Sequence, residues 1–178
     1  LTLIGSPFIY YGDEIGMGDN IWLDDRDGVR TPMQWDAGPN AGFSDAPAER
    51  LYAPVIDDAV FGYRQVNVAA QRADEDSLWH WTQRMLRIRK QYPVFGRGTL
   101  RFLEPENPAI LAYLRSDGAQ TILVVNNLSA EAQQATVELS AYAGRVPRDL
   151  LAASAWEPIG ATPYSVTVAP YGYCWLAL

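Results

Sequence analysis

Leu1-Thr2-Leu3-Ile4-Gly5-Ser6-Pro7-Phe8-Ile9-Tyr10-Tyr11 carries no charge, and Gly12-Asp13-Glu14 follow it directly. Gly5-Ser6-Pro7 breaks the run, and the apolar, aromatic stretch after it has the texture of a strand buried on both faces, as in a parallel α/β sheet. By period alone an antiparallel core strand reads the same way. A buried strand needs neighbours and a crossover to place it, so the expectation is a C-terminal fragment of a larger protein. Gly12 to Ala46 is a long polar, glycine-rich connection, and loops of that length are functional or disordered. Trp22, Trp35 and Phe43 argue for order, because large aromatics need a packing partner.

Further along, Leu78, Trp81, Met85, Ile88 and Tyr92 recur at helical steps, which predicts a helix over about Asp74–Gln91 ended by Pro93. Asp74, Glu75 and Asp76 at its start and Arg87, Arg89 and Lys90 at its end complement the helix dipole, so the basic cluster needs no anionic partner. His80 falls on the polar side and reads as solvated. From Gly96 the texture changes to short runs, Thr99–Leu103, Ile110–Leu114, Thr121–Val125, Ala135–Leu139, Ser165–Val168 and Tyr173–Leu178, separated by turn clusters. Ile122-Leu123-Val124-Val125 reads as a central strand, Pro147–Ser154 as a short turn, and the whole as a small antiparallel sandwich.

The chain has 178 residues, 48% hydrophobic and 20% charged, with a net charge of −7. That composition supports a packed core and lacks the basic face that nucleic acid requires. One cysteine, Cys174, and one histidine, His80, exclude an internal disulfide and a histidine-rich metal site. No apolar run approaches the ~18 residues of a membrane span. The opening residues lack the basic segment of a signal peptide, and the expected compartment is the cytoplasm.

The loop after a parallel barrel strand is where α/β barrels place their chemistry. In it, Arg26-Asp27-Gly28-Val29-Arg30 sets two guanidiniums around a glycine. Such forks can hold sugar hydroxyls beside the faces of Trp22 and Trp35, or they can pair with Asp13, Glu14 or Asp25 to pin the loop. Residue types alone leave both open. Asp24-Asp25-Arg26-Asp27-Gly28 opens like a calcium loop, but Trp35 stands at the closing position and no helices flank it. Asp13 and Glu14 are adjacent and point apart, which makes them poor partners for acid/base work.

Gly5-Ser6-Pro7-Phe8-Ile9-Tyr10-Tyr11-Gly12-Asp13-Glu14 resembles the eighth barrel strand of the α-amylase superfamily, glycoside hydrolase family 13. Arg26-Asp27-x-x-Arg30-Thr31-Pro32-Met33-Gln34-Trp35 resembles the loop of its α-glucosidase, sucrose isomerase and trehalose synthase branches. Asn40-Ala41-Gly42-Phe43 and Val66-Asn67-Val68-x-x-Gln71 continue the pattern. Gly16 to Leu23, with Phe61-Gly62-Tyr63, is most similar to the branch that interconverts maltose and trehalose. Asp24 in place of a glycine, and Asp58-Ala59 in place of Asp-Pro, depart from it at loop positions.

The resemblance implies an α/β fold in which residues 1–95 form the C-terminal end of a TIM (β/α)8 barrel and residues 96–178 an all-β antiparallel sandwich. It implies that the nucleophile, the acid/base and a second aspartate lie on earlier strands, outside this chain. It assigns Arg26 to glucose, Asp27 and Arg30 more weakly to the substrate and chiefly to the loop's shape, and Glu14 to the turn after the strand. Maltose, trehalose and glucose are the implied ligands, and the remainder of the barrel the implied partner. The chain itself is expected to hold no metal, while the complete enzyme has room for a calcium ion elsewhere and for a homo-oligomer. An α-glucosidase or oligo-1,6-glucosidase of the same family, and a non-catalytic carbohydrate-binding sandwich, are the alternatives.

Overall fold

A computed structural model describes residues 1–178. By compactness the chain divides into residues 7–86 and a second unit made of residues 1–6 with 87–178. No helix is long and apolar enough to cross a membrane.

The second unit holds seven strands: β1 (Thr99–Leu103), β2 (Ile110–Ser116), β3 (Thr121–Asn127), β4 (Gln133–Val137), β5 (Arg148–Asp149), β6 (Tyr164–Val168) and β7 (Tyr173–Ala177). Five form one sheet in the order β1-β2-β3-β7-β5, and β4 pairs with β6 in a second; every ladder is antiparallel. The predicted strands are all present, and β5 is a two-residue addition inside the expected turn. Leu114, Leu123, Val125 and Leu176 meet Ala135, Val137, Val166 and Val168 in one core. Alternation explains β4, where Ala135 and Val137 are buried and Thr136 faces water.

The central strands do not alternate, because the large sheet is covered on its other face too. Tyr113, Arg115, Ile122, Val124 and Trp175 are buried there, under the short helix α3 (Val94–Arg97). Phe95 packs on Trp175 with ring centroids 5.0 Å apart, and the Tyr113 hydroxyl lies 2.5 Å from Thr2 Oγ1. A continuous apolar run such as Ile122–Val125 is what burial on both faces demands.

Arg115 is fully buried and no carboxylate reaches it. Its five N–H donors go to five backbone carbonyls. Nε donates to Thr99 O (3.2 Å), Nη1 to Thr2 O (2.6 Å) and Leu3 O (3.1 Å), and Nη2 to Val94 O (3.2 Å) and Gly98 O (2.8 Å). Burial, with Arg89 nearby, holds its pKa below the ordinary value. Arg89 donates to Leu1, Phe95 and Gly5 carbonyls. The basic end of the predicted helix therefore serves as a backbone clamp as well as a dipole partner.

The first unit contains no strand. Pro7–Tyr11 lacks a ladder partner, since no other segment of residues 7–86 is extended into a sheet, and Phe8 is 95% exposed. Its order comes from α1 (Val68–Ala73), from most of α2 (Leu78–Gln91) and from four short 3-10 turns. Asn67 caps α1 by accepting from Ala70 N at 2.8 Å, a signal hidden in the Val66-Asn67-Val68 alternation. Helix α2 begins four residues later than expected: Ser77 Oγ takes the capping place, accepting from His80 N at 3.4 Å, while Asp74 turns back to Asp76 N. Thr82, Met85 and Ile88 form its buried line. His80 is half-buried, its Nε2 3.2 Å from Arg72 O and its ring against Trp79.

Arg115→Met should remove five hydrogen bonds to backbone carbonyls, three of them buried, and cost about 3–5 kcal/mol. A fall in the urea midpoint checks it, with Arg115→Lys intermediate because it keeps the charge and three donors. A wild-type midpoint for Arg115→Met would refute the clamp.

Candidate functional site

The segment after Tyr11 folds as linked 3-10 turns, each fixed by side chains reaching backbone groups. Gly12 (φ 93°) and Gly16 (φ 71°) bracket the turn Asp13–Ile15. A Cβ on Gly12 would sit 2.6 Å from Met17 Sδ, so only glycine fits. Asp13 accepts from Tyr10 N at 2.8 Å and Glu14 from Gly12 N at 2.9 Å. Both carboxylates are spent on the turn, and they do not oppose one another across a space where a reacting bond could lie.

The Arg26 motif forms a second turn, Asp27–Arg30. Asp25 before it is left-handed (φ 49°), a strained conformation for a residue other than glycine. Arg30 pairs with Asp27 at 3.5 Å in an exposed bridge, so of the partners weighed for the arginines, neither Asp13, Glu14 nor Asp25 holds it. Arg26 is exposed and makes no side-chain hydrogen bond or ion pair. The sequence-identified trio is thus brought to one turn: Asp27 and Arg30 bonded to each other, Arg26 open.

The rest of the motif is structural. Gln34 is fully buried, and its Nε2 donates to Phe61 O (3.1 Å) and Val66 O. Asn67 Nδ2 donates to Tyr63 O at 2.9 Å. Gln71 bridges Ile15 O (2.6 Å) and Trp79 N (3.0 Å). These amides serve as polar pegs between loops with no ladder of their own.

Asp27 and Arg30 line a small concavity of about 220 Å³ with Leu23 and Tyr52, and two larger ones lie among residues 7–86 outside the turn. One of about 360 Å³ is lined by Tyr11, Glu14, Met33, Trp35, Phe43 and Tyr52. The other, about 560 Å³, is lined by Asp19, Trp22, Asp57, Asp58 and Phe61 among others, with Trp22 87% exposed. Asp57 is tied to Arg64, and amides of Phe61 and Val60 hold the Asp58 carboxyl below its usual range. No group of three acidic, histidine or cysteine side chains comes together to cage a cation. Tyr11 and Tyr52 line the concavity of about 360 Å³, and neither was singled out as a site residue in the sequence. Tyr11 reads in sequence as strand filling, and nothing marks Tyr52.

Residues 1–98 match the family model "Alpha amylase, catalytic domain", and residues 100–175 match "Maltogenic Amylase, C-terminal domain". The chain is 50% identical over its full length to a trehalose synthase of Pimelobacter sp. strain R48 and covers 32% of it. To a probable oligo-1,6-glucosidase of Bacillus subtilis it is 32% identical over 70% of its length, covering 27% of that protein. Among solved structures, the trehalulose synthase MutB from Pseudomonas mesoacidophila, as a mutant in complex with glucose, superposes with a TM-score of 0.79 at 26% identity. That match covers 99% of this chain and 36% of the other. The chain spans a third or less of the length of the curated relatives it matches, from 18% to 32%. With more than half of its residues in the catalytic-domain match, the chain belongs to the α-amylase family.

Proposed function

We propose that the chain is the C-terminal part of a trehalose synthase: the end of its barrel (residues 1–95) and its sandwich domain (residues 96–178). The observation that carries this is identity: 50% over the whole chain to a trehalose synthase, against 32% over 70% of it to a probable oligo-1,6-glucosidase. The complete protein interconverts maltose and trehalose by intramolecular, retaining glucosyl transfer. A carboxylate on an earlier strand forms the glucosyl-enzyme, and a second carboxylate acts as acid and then base. The released glucose stays in the cleft and attacks through a different hydroxyl, which requires that water be kept out.

This chain's residues bind and wall. Arg26 presents a planar, unpaired guanidinium whose fork suits adjacent glucose hydroxyls, beside a carboxylate from the rest of the barrel. Asp27 and Arg30 keep the turn in shape and touch the substrate secondarily. The carbohydrate-binding alternative finds little support, because Tyr113 and Trp175 are buried and Tyr142 and Trp156 pack on the core.

The complete protein given maltose should yield trehalose as its main product; glucose alone would assign it to the hydrolases. Arg26→Ala should lower kcat/KM about 10- to 100-fold, the loss of one or two charge-assisted hydrogen bonds. Arg30→Ala should change it less than about threefold, since an exposed ion pair contributes little. Equal kinetics for Arg26→Ala and wild type would remove Arg26 from the site. The 178-residue chain alone should turn over neither sugar, and turnover by a pure refolded sample would contradict the placement of the carboxylates elsewhere.

A further inference from the structure

Two phenols grip consecutive carbonyls at the exit of the arginine turn. The Tyr11 hydroxyl donates to Thr31 O at 2.9 Å, and the Tyr52 hydroxyl donates to Arg30 O. The two tyrosines come from segments on opposite sides of the turn in sequence. Burial first, and then the neighbouring Tyr52, push the Tyr11 pKa above its ordinary value. The last carbonyls of a helical turn lack partners within it, and these two are met by side chains.

A four-residue 3-10 turn has weak hydrogen bonds and cannot hold its own orientation. Its middle is fixed on the other side. Gly28 is buried against the loop of Asp19 and Asn20, where a Cβ would lie 2.6 Å from Asn20 O, and Asn20 N donates to Gly28 O at 3.2 Å. Entry to the turn runs through left-handed Asp25. Arg26 therefore stands between a strained residue and a turn held at two further points, and it has no side-chain partner to fix it. The backbone therefore sets the point and direction from which its side chain leaves the turn.

We propose that Tyr11 and Tyr52 are positioning residues for the reaction: a paired-phenol clamp that fixes the Asp27–Arg30 turn and so aims Arg26 at the glucosyl unit of the disaccharide. This rests on the reading of Arg26 as a glucose contact. The clamp never touches the reacting atoms, and its chemistry is neutral O–H donation to carbonyl oxygen. Phenylalanine keeps the ring packing and removes only the hydrogen bonds.

A double-mutant cycle on the complete protein tests it, with initial rates of trehalose formation from maltose and the thermal midpoint measured for each variant. The Tyr11→Phe/Tyr52→Phe protein should lose about tenfold in kcat/KM, the scale of two hydrogen bonds to carbonyls. In an Arg26→Ala background the same two substitutions should change kcat/KM by less than about twofold, because coupled residues are non-additive. A tenfold loss in both backgrounds would overturn the clamp as a positioning device, since a merely structural role adds independently. No loss in either background would overturn it as well. If Arg26→Ala itself matches wild type, the functional reading of Arg26 fails, and that outcome is distinct from a cycle in which Arg26 matters and the tyrosines do not. Should the double variant not fold, Tyr52→Phe alone, at a 66% exposed position, carries the same cycle with an expected loss of about threefold.

Discussion

Carbonyls of Thr2, Leu3, Val94, Gly98 and Thr99 converge on one guanidinium, that of Arg115. Removing a cation from water is expensive, and no carboxylate offsets it here; the compensation comes from five carbonyls that accept from its five N–H groups, those of Thr2, Val94 and Gly98 in buried contacts. Those carbonyls belong to two stretches distant in sequence: the opening residues, and the segment from the start of α3 to the start of β1. The sheet can thus bury both faces, with β4 and β6 on one side and α3 with residues 1–6 on the other. Tyr113, Trp175 and Phe95 complete that second interface. The sandwich is an all-β domain whose outer face is closed by non-β chain.

The strands of the sandwich were legible because each carries its burial in its residues: β4 alternates, β3 is continuously apolar, and turn residues separate them. The helix over Leu78–Gln91 was legible for the same reason, but its start was not. Charge placed the beginning at Asp74, whereas Ser77 makes the capping bonds, and hydrogen-bond geometry outweighs a smeared dipole. Pro7–Tyr11 reads as a buried strand, yet a strand exists only with a partner, and residues 7–86 supply none. What was least legible is the arginines' surroundings. Arg115 sits in a strand as an apparent surface charge, and its burial depends on contacts more than a hundred residues away in sequence.

The candidate site follows the same logic at smaller scale. With no ladder to satisfy the backbone, residues 7–86 use side chains for that work: Asp13, Glu14, Gln34, Asn67 and Gln71 each bond a main-chain group. Much of the family motif is therefore scaffolding for one exposed turn. Asp27 and Arg30 hold that turn from within, Tyr11 and Tyr52 hold its exit, and Arg26 is the member left open. A motif read as residue types does not separate the pegs from the group they present; hydrogen-bond partners do.

The central claim is that residues 1–6 and 87–178 carry a core of their own, while the segment Pro7–Tyr11 has no ladder within the chain. Amide hydrogen exchange on the 178-residue chain tests this most directly. The account predicts slow exchange across β2, β3 and β7 and rapid exchange across Pro7–Tyr11. Strong protection of Pro7–Tyr11 in a monomeric sample, or rapid exchange throughout β3, would contradict it.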